Sequence, residues 1–382
     1  MKTLFAVLRY AFVIVLMSPL FVISSPIHAV EIIDTGALLG ESAVIRWMDN
    51  RRIMFLAASG QTCDRKDKPD SYKQPLNQIA LFDTQTRQMS WYGEKGIHGL
   101  CYANGNVSYA QRKVTDGLCQ KDEWSYLRGK FGEEKALPGV ALDVFSCLPE
   151  TEVRANPTWL VEAEKTSRRS ELSSRTWLDE ANKPPGRIFK PLKPEHGWLE
   201  FVGGDRGFFD QAWYPVAIHQ PGKEDKGIPI NPDVFQPWLD QGYVVRLLRY
   251  EAFKNAYLLG LDDTRGAGDD KTGKLWWLYP DSRIEEIVTY GREKDWKSAR
   301  YNTLIPSKTS LFLIGTETHP QGKSGLYHEV SGRMALVTPG HVAWSAGALS
   351  PDGCKLAFGI DPTGFPNSRY RLQILDNCQS SK

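Results

Sequence analysis

Residues 349–358 read LSPDGCKLAF, which has the form of two short β-strands joined by a tight turn. Pro351 presets the φ angle of the turn, Asp352 can hydrogen-bond back to the backbone, and Gly353 tolerates a positive φ. Residues 45–56, IRWMDNRRIMFL, repeat this pattern near the other end of the chain. Two copies of one hairpin at opposite ends indicate a repeat architecture that closes on itself.

Further strand pairs follow the same order. Residues 79–92 contain an apolar run, a D-T-x-T turn and a second strand, so residues 43–92 hold the four strands of one propeller blade. Residues 274–290 and 325–338 repeat this third-and-fourth-strand pattern. The last copy, residues 371–375, has no fourth strand after it. We expect residues 30–39, a strand without a hairpin partner, to supply that strand and close the ring.

The spacing of the repeats predicts the number of blades. First-strand candidates begin near residues 44, 99, 199, 243, 303 and 349. The long interval between 99 and 199 is expected to hold one further, degraded blade around residues 158–190. This gives an all-β propeller of seven blades over residues 30–382. Six blades are the alternative, in which the polar segment 162–185 is a helical or disordered insertion.

The string SPDGCKLAF at 350–358 resembles the repeat of TolB-like and WD40-like propeller proteins, and WMDNR at 47–51 is a weaker version of it. The resemblance implies a propeller fold and a role in binding a protein or a ligand. Such families do not share one active site, so the resemblance carries no catalytic residue over to this chain.

The first 29 residues have the features of a secretory signal peptide. Lys2 and Arg9 precede an apolar run at 11–23, and Ile27-His28-Ala29 forms a cleavage site. The run is shorter than the roughly 20 residues of a membrane span, although a retained membrane helix is the alternative. We therefore expect a periplasmic or secreted protein with no stable membrane insertion after cleavage.

The charge balance excludes one class of partner. Removing residues 1–29 leaves 45 Lys and Arg against 45 Asp and Glu. A neutral, exported chain lacks the basic footprint that nucleic-acid binding requires. We expect the partner to be an envelope protein or a small ligand.

All six cysteines follow the cleavage site, and an even number in an exported chain predicts disulfides. Cys354 and Cys378 are equidistant from residue 366, the centre of the expected terminal hairpin, so they should face each other and pair. For the other four, the predicted pairs are Cys63–Cys101 and Cys119–Cys147.

No motif for catalysis, metal binding or a cofactor is present. The chain lacks a G-x-S-x-G nucleophile elbow, and no two histidines have the i, i+2 or i, i+4 spacing of metal ligands. The loop 262–270, DDTRGAGDD, has four carboxylates that could hold calcium. We favour a solvated hairpin tip, because the order of a calcium-binding loop is absent and Arg265 and Lys271 lie in or next to the cluster. We expect no cofactor and no metal.

The predicted binding patch consists of aromatic residues beside charged ones in one loop region: Phe208, Phe209, Trp213, Tyr214, Asp205, Arg206 and Asp210. Long loops on a rigid ring are where such scaffolds place recognition. We expect a non-catalytic binding or scaffold protein of the cell envelope. The alternative is a carboxylate-dependent enzyme acting on glycans in the funnel, with Asp205, Asp210 and Asp240 as candidates.

Overall fold

A computed structural model describes residues 30–40, 44–64, 73–103, 105–137, 186–193, 195–205, 211–223, 226–241, 243–263, 274–287, 304–315, 323–330, 333–343, 347–363 and 370–378. Most of these residues are in β-strands, and their helical content is a 3-10 turn at Pro232–Val234 and one turn of helix, α1, at Gln236–Leu239. None of the described helices has the length and apolar character needed to cross a membrane.

The described strands form six antiparallel four-stranded units, which we call blades 1–6 in chain order. The first strand of the chain, β1 (Glu31–Leu38), belongs to blade 6. Blades 1 to 3 are built from β2 (Ile45–Trp47), β3 (Arg52–Asp64), β4 (Lys73–Asp83) and β5 (Gln88–Tyr92); β6 (Ile97–Ala103), β7 (Asn106–Thr115), β8 (Leu118–Lys130) and β9 (Lys135–Leu137); and β10 (Gly186–Pro191), β11 (Trp198–Asp205), β12 (Gln211–His219) and β13 (Ile228–Pro229).

Blades 4 to 6 are built from β14 (Tyr243–Glu251), β15 (Ala256–Asp263), β16 (Leu275–Leu278) and β17 (Ile284–Ile287); β18 (Leu304–Pro306), β19 (Leu311–Gly315), β20 (Gly325–Val330) and β21 (Arg333–Pro339); and β22 (His341–Val342), β23 (Ala348–Leu349), β24 (Lys355–Asp361) and β25 (Arg371–Asp376), with β1 as the fourth strand. In blade 6, β22 and β23 both pair with the same side of β24 and together make an interrupted first strand.

The two ends of the chain meet in blade 6, as the sequence predicted. β1 pairs antiparallel with β25, with Ile33 opposite Ile374. Thr35 Oγ1 donates a hydrogen bond to the carbonyl of Leu372 at 2.8 Å, and the amide of Leu39 donates to the carbonyl of Tyr370 at 2.8 Å. The fold is therefore an all-β propeller closed by an N-terminal strand.

The core of the protein lies between the blades. Separate clusters of buried apolar side chains join blades 6 and 1, 1 and 2, 3 and 4, 4 and 5, and 5 and 6. Successive strand residues point to opposite faces, so Trp276 packs in the cluster between blades 3 and 4 and Trp277 in the cluster between blades 4 and 5. Adjacent tryptophans thus serve two different interfaces.

A disulfide joins blades 1 and 2 and corrects two of the predicted pairings. β3 and β8 meet in a parallel bridge with Asp64 opposite Leu118, which places Cys63 beside Cys119 at a Cα–Cα distance of 5.4 Å. The predicted pairs Cys63–Cys101 and Cys119–Cys147 are therefore wrong, because the long hairpins of two blades bring together cysteines that are distant in sequence. Cys101 is also disulfide-bonded, and Cys147 lies outside the described residues.

The predicted disulfide between Cys354 and Cys378 is confirmed, with a Cα–Cα distance of 5.1 Å. Its register differs by one residue from the expected one, because Lys355 lies opposite Asp376. The amide of Asn377, not of Cys378, therefore donates to the carbonyl of Cys354, at 2.9 Å. A one-residue offset still leaves the two cysteines close enough to bond.

One prediction about blade boundaries is corrected, and another is not tested by the described residues. The strand near residue 199 is the second of its blade, because β10 precedes β11 and pairs with it from Gly186 to Pro191. The further blade expected around 158–190 lies outside the described residues except for β10, as does the polar segment 162–185. Six blades are seen among the described residues, and the seventh stays a prediction.

The SPDG turn of blade 6 connects its neighbours at one end of the propeller. Asn50 Oδ1 accepts a hydrogen bond from the amide of Asp352 at 2.9 Å, which ties blade 1 to the turn. The amide of Lys308 in blade 5 donates to the carbonyl of Gly353 at 3.0 Å. Gly353 has a φ of +72°, and a Cβ there would lie 2.5 Å from Cγ of Phe253 in blade 4. Glycine is thus required both by its conformation and by the contact.

Gly353→Ala is expected to lower the free energy of unfolding by about 3 kcal/mol, from the cost of a left-handed backbone together with overpacking against Phe253. Gly222→Ala is the matched control, because Gly222 has a φ of +75° but no atom near the position of a Cβ. The control should lose only the free energy that a left-handed backbone costs an alanine, about 1–2 kcal/mol. Urea titrations of both variants measure the difference, and equal losses would contradict the close contact.

Candidate ligand-binding site in the inner ring

The first strands of the blades gather around the axis of the propeller. Trp47 Nε1 on β2 donates to the carbonyl of Ala348 on β23 at 2.9 Å, and β2 also contacts β6. A Cβ at Gly347, next to β23, would lie 3.0 Å from Cδ1 of Ile305 on β18. Lys190 on β10 lies close enough to Arg246 on β14 for their charges to interact. We call these first strands, β2, β6, β10, β14, β18, β22 and β23, the inner ring.

Charge is unevenly distributed in the inner ring. The whole chain has 47 Lys and Arg against 45 Asp and Glu. The inner ring instead has one acidic residue, Glu251, against these basic residues: Arg46, Arg187, Lys190, Arg246 and Arg249. A cleft lined by one sign of charge attracts ligands of the opposite sign. The inner ring is therefore suited to an anion.

Burial raises the cost of these positive charges. The half-buried ammonium of Lys190 has a lowered pKa, chiefly because burial removes water from it and also because Arg246 is near. Burial likewise lowers the pKa of Arg46. The ammonium of Lys190 lies 5.2 Å from the ring centroid of Phe201, and no ion pair of Lys190 with a carboxylate is found in the described part of the chain. A bound anion would relieve this uncompensated charge.

Two carboxylates form ion pairs with Arg249 and Arg187 of the inner ring. Glu251 forms an ion pair with Arg249, and burial raises the pKa of Glu251 while Arg249 opposes that shift. Glu200 on β11 is buried, with Arg187 Nε at 3.3 Å and His219 Nε2 at 2.8 Å. Lys190 on blade 3 therefore carries a charge that no described carboxylate balances, and Arg246 on blade 4 lies near it.

Loops of blades 1 to 3 lie at the end of the propeller where the first strands begin. The strands of each blade alternate in direction, so every connection between a second and a third strand lies at this end. The β3–β4 and β7–β8 hairpins extend here, joined by the Cys63–Cys119 disulfide. In blade 3 the connection follows the pairing of Asp205 with Gln211.

The structure describes part of the predicted binding patch. Trp213 and Tyr214 are strand residues of β12 rather than loop residues, and half-buried Tyr214 packs against the cluster between blades 3 and 4. Asp205 is the last residue of β11. Arg206, Phe208, Phe209 and Asp210 lie outside the described residues. The patch therefore stays a prediction, attached to the loop end of blade 3.

Of the three carboxylates considered for catalysis, only Asp240 has a described side chain, so their grouping stays a prediction. Asp240 follows α1 and accepts a hydrogen bond from Gln236 Nε2 at 2.7 Å, so it caps that turn. Residues 264–270 of the acidic loop lie outside the description. No group of three or more His, Cys, Asp or Glu side chains able to hold a metal occurs among the described residues.

Sequence reasoning missed the inner-ring cations and the buried Glu200–His219 pair. Arg46, Arg187, Lys190 and Arg246 are dispersed over 200 residues of sequence and follow no motif. One available signal was their place on first strands, since such strands line the axis of a propeller. That signal was hidden in blade 3, where β10 had not been identified as a first strand.

The chain matches no family model and no curated protein. Among solved structures it resembles the oligogalacturonate lyase of Vibrio parahaemolyticus, at 13% identity and a TM-score of 0.41 over 92% of this chain and 98% of that one. It also resembles TolB from Acinetobacter baumannii, at 9% and 0.32 over 86% and 64%. A third is the β-propeller domain of the Trilobed protease from Pyrococcus furiosus, at 6% and 0.30 over 90% and 86%. At these values the likenesses carry no argument about the function of this chain.

Proposed function

We propose that this protein is an exported, non-catalytic binding protein of the cell envelope that takes an anionic ligand at the inner ring. The observation that carries the proposal is the segregation of basic side chains onto the first strands of a nearly neutral chain. Phosphate, sulfate and carboxylate groups all fit the chemistry of Lys190 and Arg246. The disulfides are consistent with an oxidising compartment.

The loop end of blades 1 to 3 supplies the route to the site in this proposal. Arg187 lies near the start of β10, opposite Val202, three residues before the end of β11 at Asp205. A ligand that passes the predicted patch at 205–214 would therefore meet Arg187 first and Lys190 farther along the same strand. Aromatic contacts at the patch would orient the ligand, and the cations would hold its charge.

Titration calorimetry with tripolyphosphate and with a tetra-uronate tests the proposal. Neutralising Lys190 or Arg246 with glutamine should each weaken binding at least tenfold, because a charge-assisted hydrogen bond contributes about 1.5–3 kcal/mol. Lys223→Gln is the control, since this exposed lysine lies in the loop between β12 and β13, outside the inner ring. Added salt should also weaken binding. Failure of the wild type to bind either anion, or normal binding by the Lys190→Gln, Arg246→Gln double variant, would exclude the inner ring as the site.

A catalytic role on glycans is the second candidate, favoured by the buried Glu200–His219 pair beside Arg187. A carboxylate that orients an imidazole next to a cation is a known arrangement for moving a proton from a charged substrate. Glu200→Gln separates the two functions. If the wild-type protein turns over an anionic glycan and this variant binds the glycan without turnover, the protein is an enzyme that uses Glu200. If no turnover occurs, the pair is structural.

A further inference from the structure

A cavity of about 390 Å³ opens between blades 4 and 5 at the end of the propeller where the SPDG turn lies. Its volume is within the range of small-molecule sites. The turn that joins β14 to β15 and the turn that joins β18 to β19 form its two sides. The residues of these turns that line the cavity are Phe253, Lys254, Ser307, Lys308, Thr309 and Ser310. It is distinct from the predicted patch, which lies at the opposite end.

One carboxylate in this cavity lacks a partner. Glu329, near the end of β20, is half-buried, and no described residue pairs with it by a hydrogen bond or a salt bridge. Burial raises the pKa of Glu329. The neighbouring cation Lys254 does not neutralise it, because the ammonium of Lys254 forms an ion pair with Glu285 at 3.0 Å. Burying a charge without a partner is costly unless a ligand supplies one.

The rest of the cavity is fixed in place. Asn377 Nδ2 donates hydrogen bonds to the hydroxyl oxygens of Ser310, at 2.7 Å, and of Thr309. Ser310 Oγ also lies 2.7 Å from His328 Nε2. The amide of Lys308 donates a hydrogen bond to the carbonyl of Gly353, so two segments of blade 6 hold this turn in place. A preorganised wall of this kind lowers the entropic cost of binding.

The other wall is apolar. Phe253 and Trp277 pack edge to face with ring centroids 5.9 Å apart, and Ile287 and Leu311 also line the cavity. Trp277 and Leu311 are almost fully buried, so the apolar surface open to a ligand comes chiefly from half-buried Phe253 and Ile287. The cavity therefore combines an unpaired carboxylate with an apolar wall.

We propose that this cavity binds a small organic ammonium compound, with its charged group at Glu329 and its apolar body against Phe253 and Ile287. A carboxylate at the edge of an apolar cavity recognises a primary amine through charge-assisted hydrogen bonds. The site does not depend on the anion site in the inner ring.

Phenylethylamine and phenylethanol are suitable probes, measured by calorimetry with wild-type protein. Phenylethylamine should bind, and phenylethanol, which keeps the apolar body but lacks the charge, should bind at least tenfold more weakly. No binding of phenylethylamine, or equal binding of phenylethanol, would overturn the proposal without any variant.

Glu329→Gln locates the site. This nearly isosteric change should weaken phenylethylamine binding at least tenfold, because the amide lacks the negative charge. Glu286→Gln is the matched control, since Glu286 is an exposed carboxylate on β17 that does not line the cavity. Because the carboxylate of Glu329 is unpaired, the thermal midpoint of Glu329→Gln should not fall below that of the wild type. Unchanged affinity in a folded Glu329→Gln variant would place the amine elsewhere and contradict the inference.

Discussion

Deletion of residues 30–39 is expected to lower the thermal midpoint of the whole propeller by on the order of 10 °C. The deletion removes the fourth strand of blade 6 and exposes β25, which pairs with it. Ile33 and Leu39 are buried in the cluster between blades 6 and 1, and losing two such side chains costs about 3–6 kcal/mol. For a domain of this size each kcal/mol corresponds to about 2 °C.

Two substitutions at adjacent positions show whether the loss of stability comes from losing the packing of β1 or from shortening the chain. Ile33 is 6% exposed and Ile32 is 39% exposed on the same strand. Ile33→Ala should lower the free energy of unfolding by about 2–5 kcal/mol, and Ile32→Ala by less than about 0.5 kcal/mol. Calorimetric melting of the three variants checks these values. A thermal midpoint of the deletion variant equal to that of the wild type would mean that β1 does not close the ring in solution.

Replacing Cys63 and Cys119 with serine is expected to lower the free energy of unfolding by about 4 kcal/mol on the chain-entropy model. The bond closes a sequence separation of 56 residues and holds together the long hairpins of two blades. The matched variant replaces Cys354 and Cys378, whose separation is 24, and should lose about 3.5 kcal/mol. Urea titration of the oxidised proteins measures both losses.

Peptide mapping without reduction checks the pairing itself. The expected result is one peptide pair containing Cys63 and Cys119 and another containing Cys354 and Cys378. A bond between Cys63 and Cys101 would instead restore the pairing that the sequence first indicated. It would also remove the covalent link between the two blades beside Asp64 and Leu118.

Local turn chemistry made much of the fold predictable from the sequence. The SPDG turn requires a proline, an aspartate and a glycine in that order, so residues 349–358 specify a hairpin by themselves. The final repeat lacks a fourth strand in the sequence, and residues 30–39 read as a strand without a hairpin partner. Alternation of side chains along a strand was enough to assign Trp276 and Trp277 to opposite faces.

Features that depend on contacts between blades were not predictable. The pairing of Cys63 with Cys119 follows from two hairpins of adjacent blades, and sequence spacing favoured nearer partners. In blade 3 the sequence GRIFKP of β10 was not read as a strand, because Arg187 and Lys190 interrupt its apolar pattern. The charges that make the candidate site therefore also hid the strand that holds them.

Crystals soaked in tungstate show whether the inner ring holds an anion between blades 3 and 4, because the anomalous scattering of tungsten locates a bound tetrahedral dianion. We expect an anomalous difference peak within hydrogen-bonding distance of Lys190 Nζ and the guanidinium of Arg246. Peaks confined to exterior lysines such as Lys223, with none at the inner ring, would show that the anion binds elsewhere.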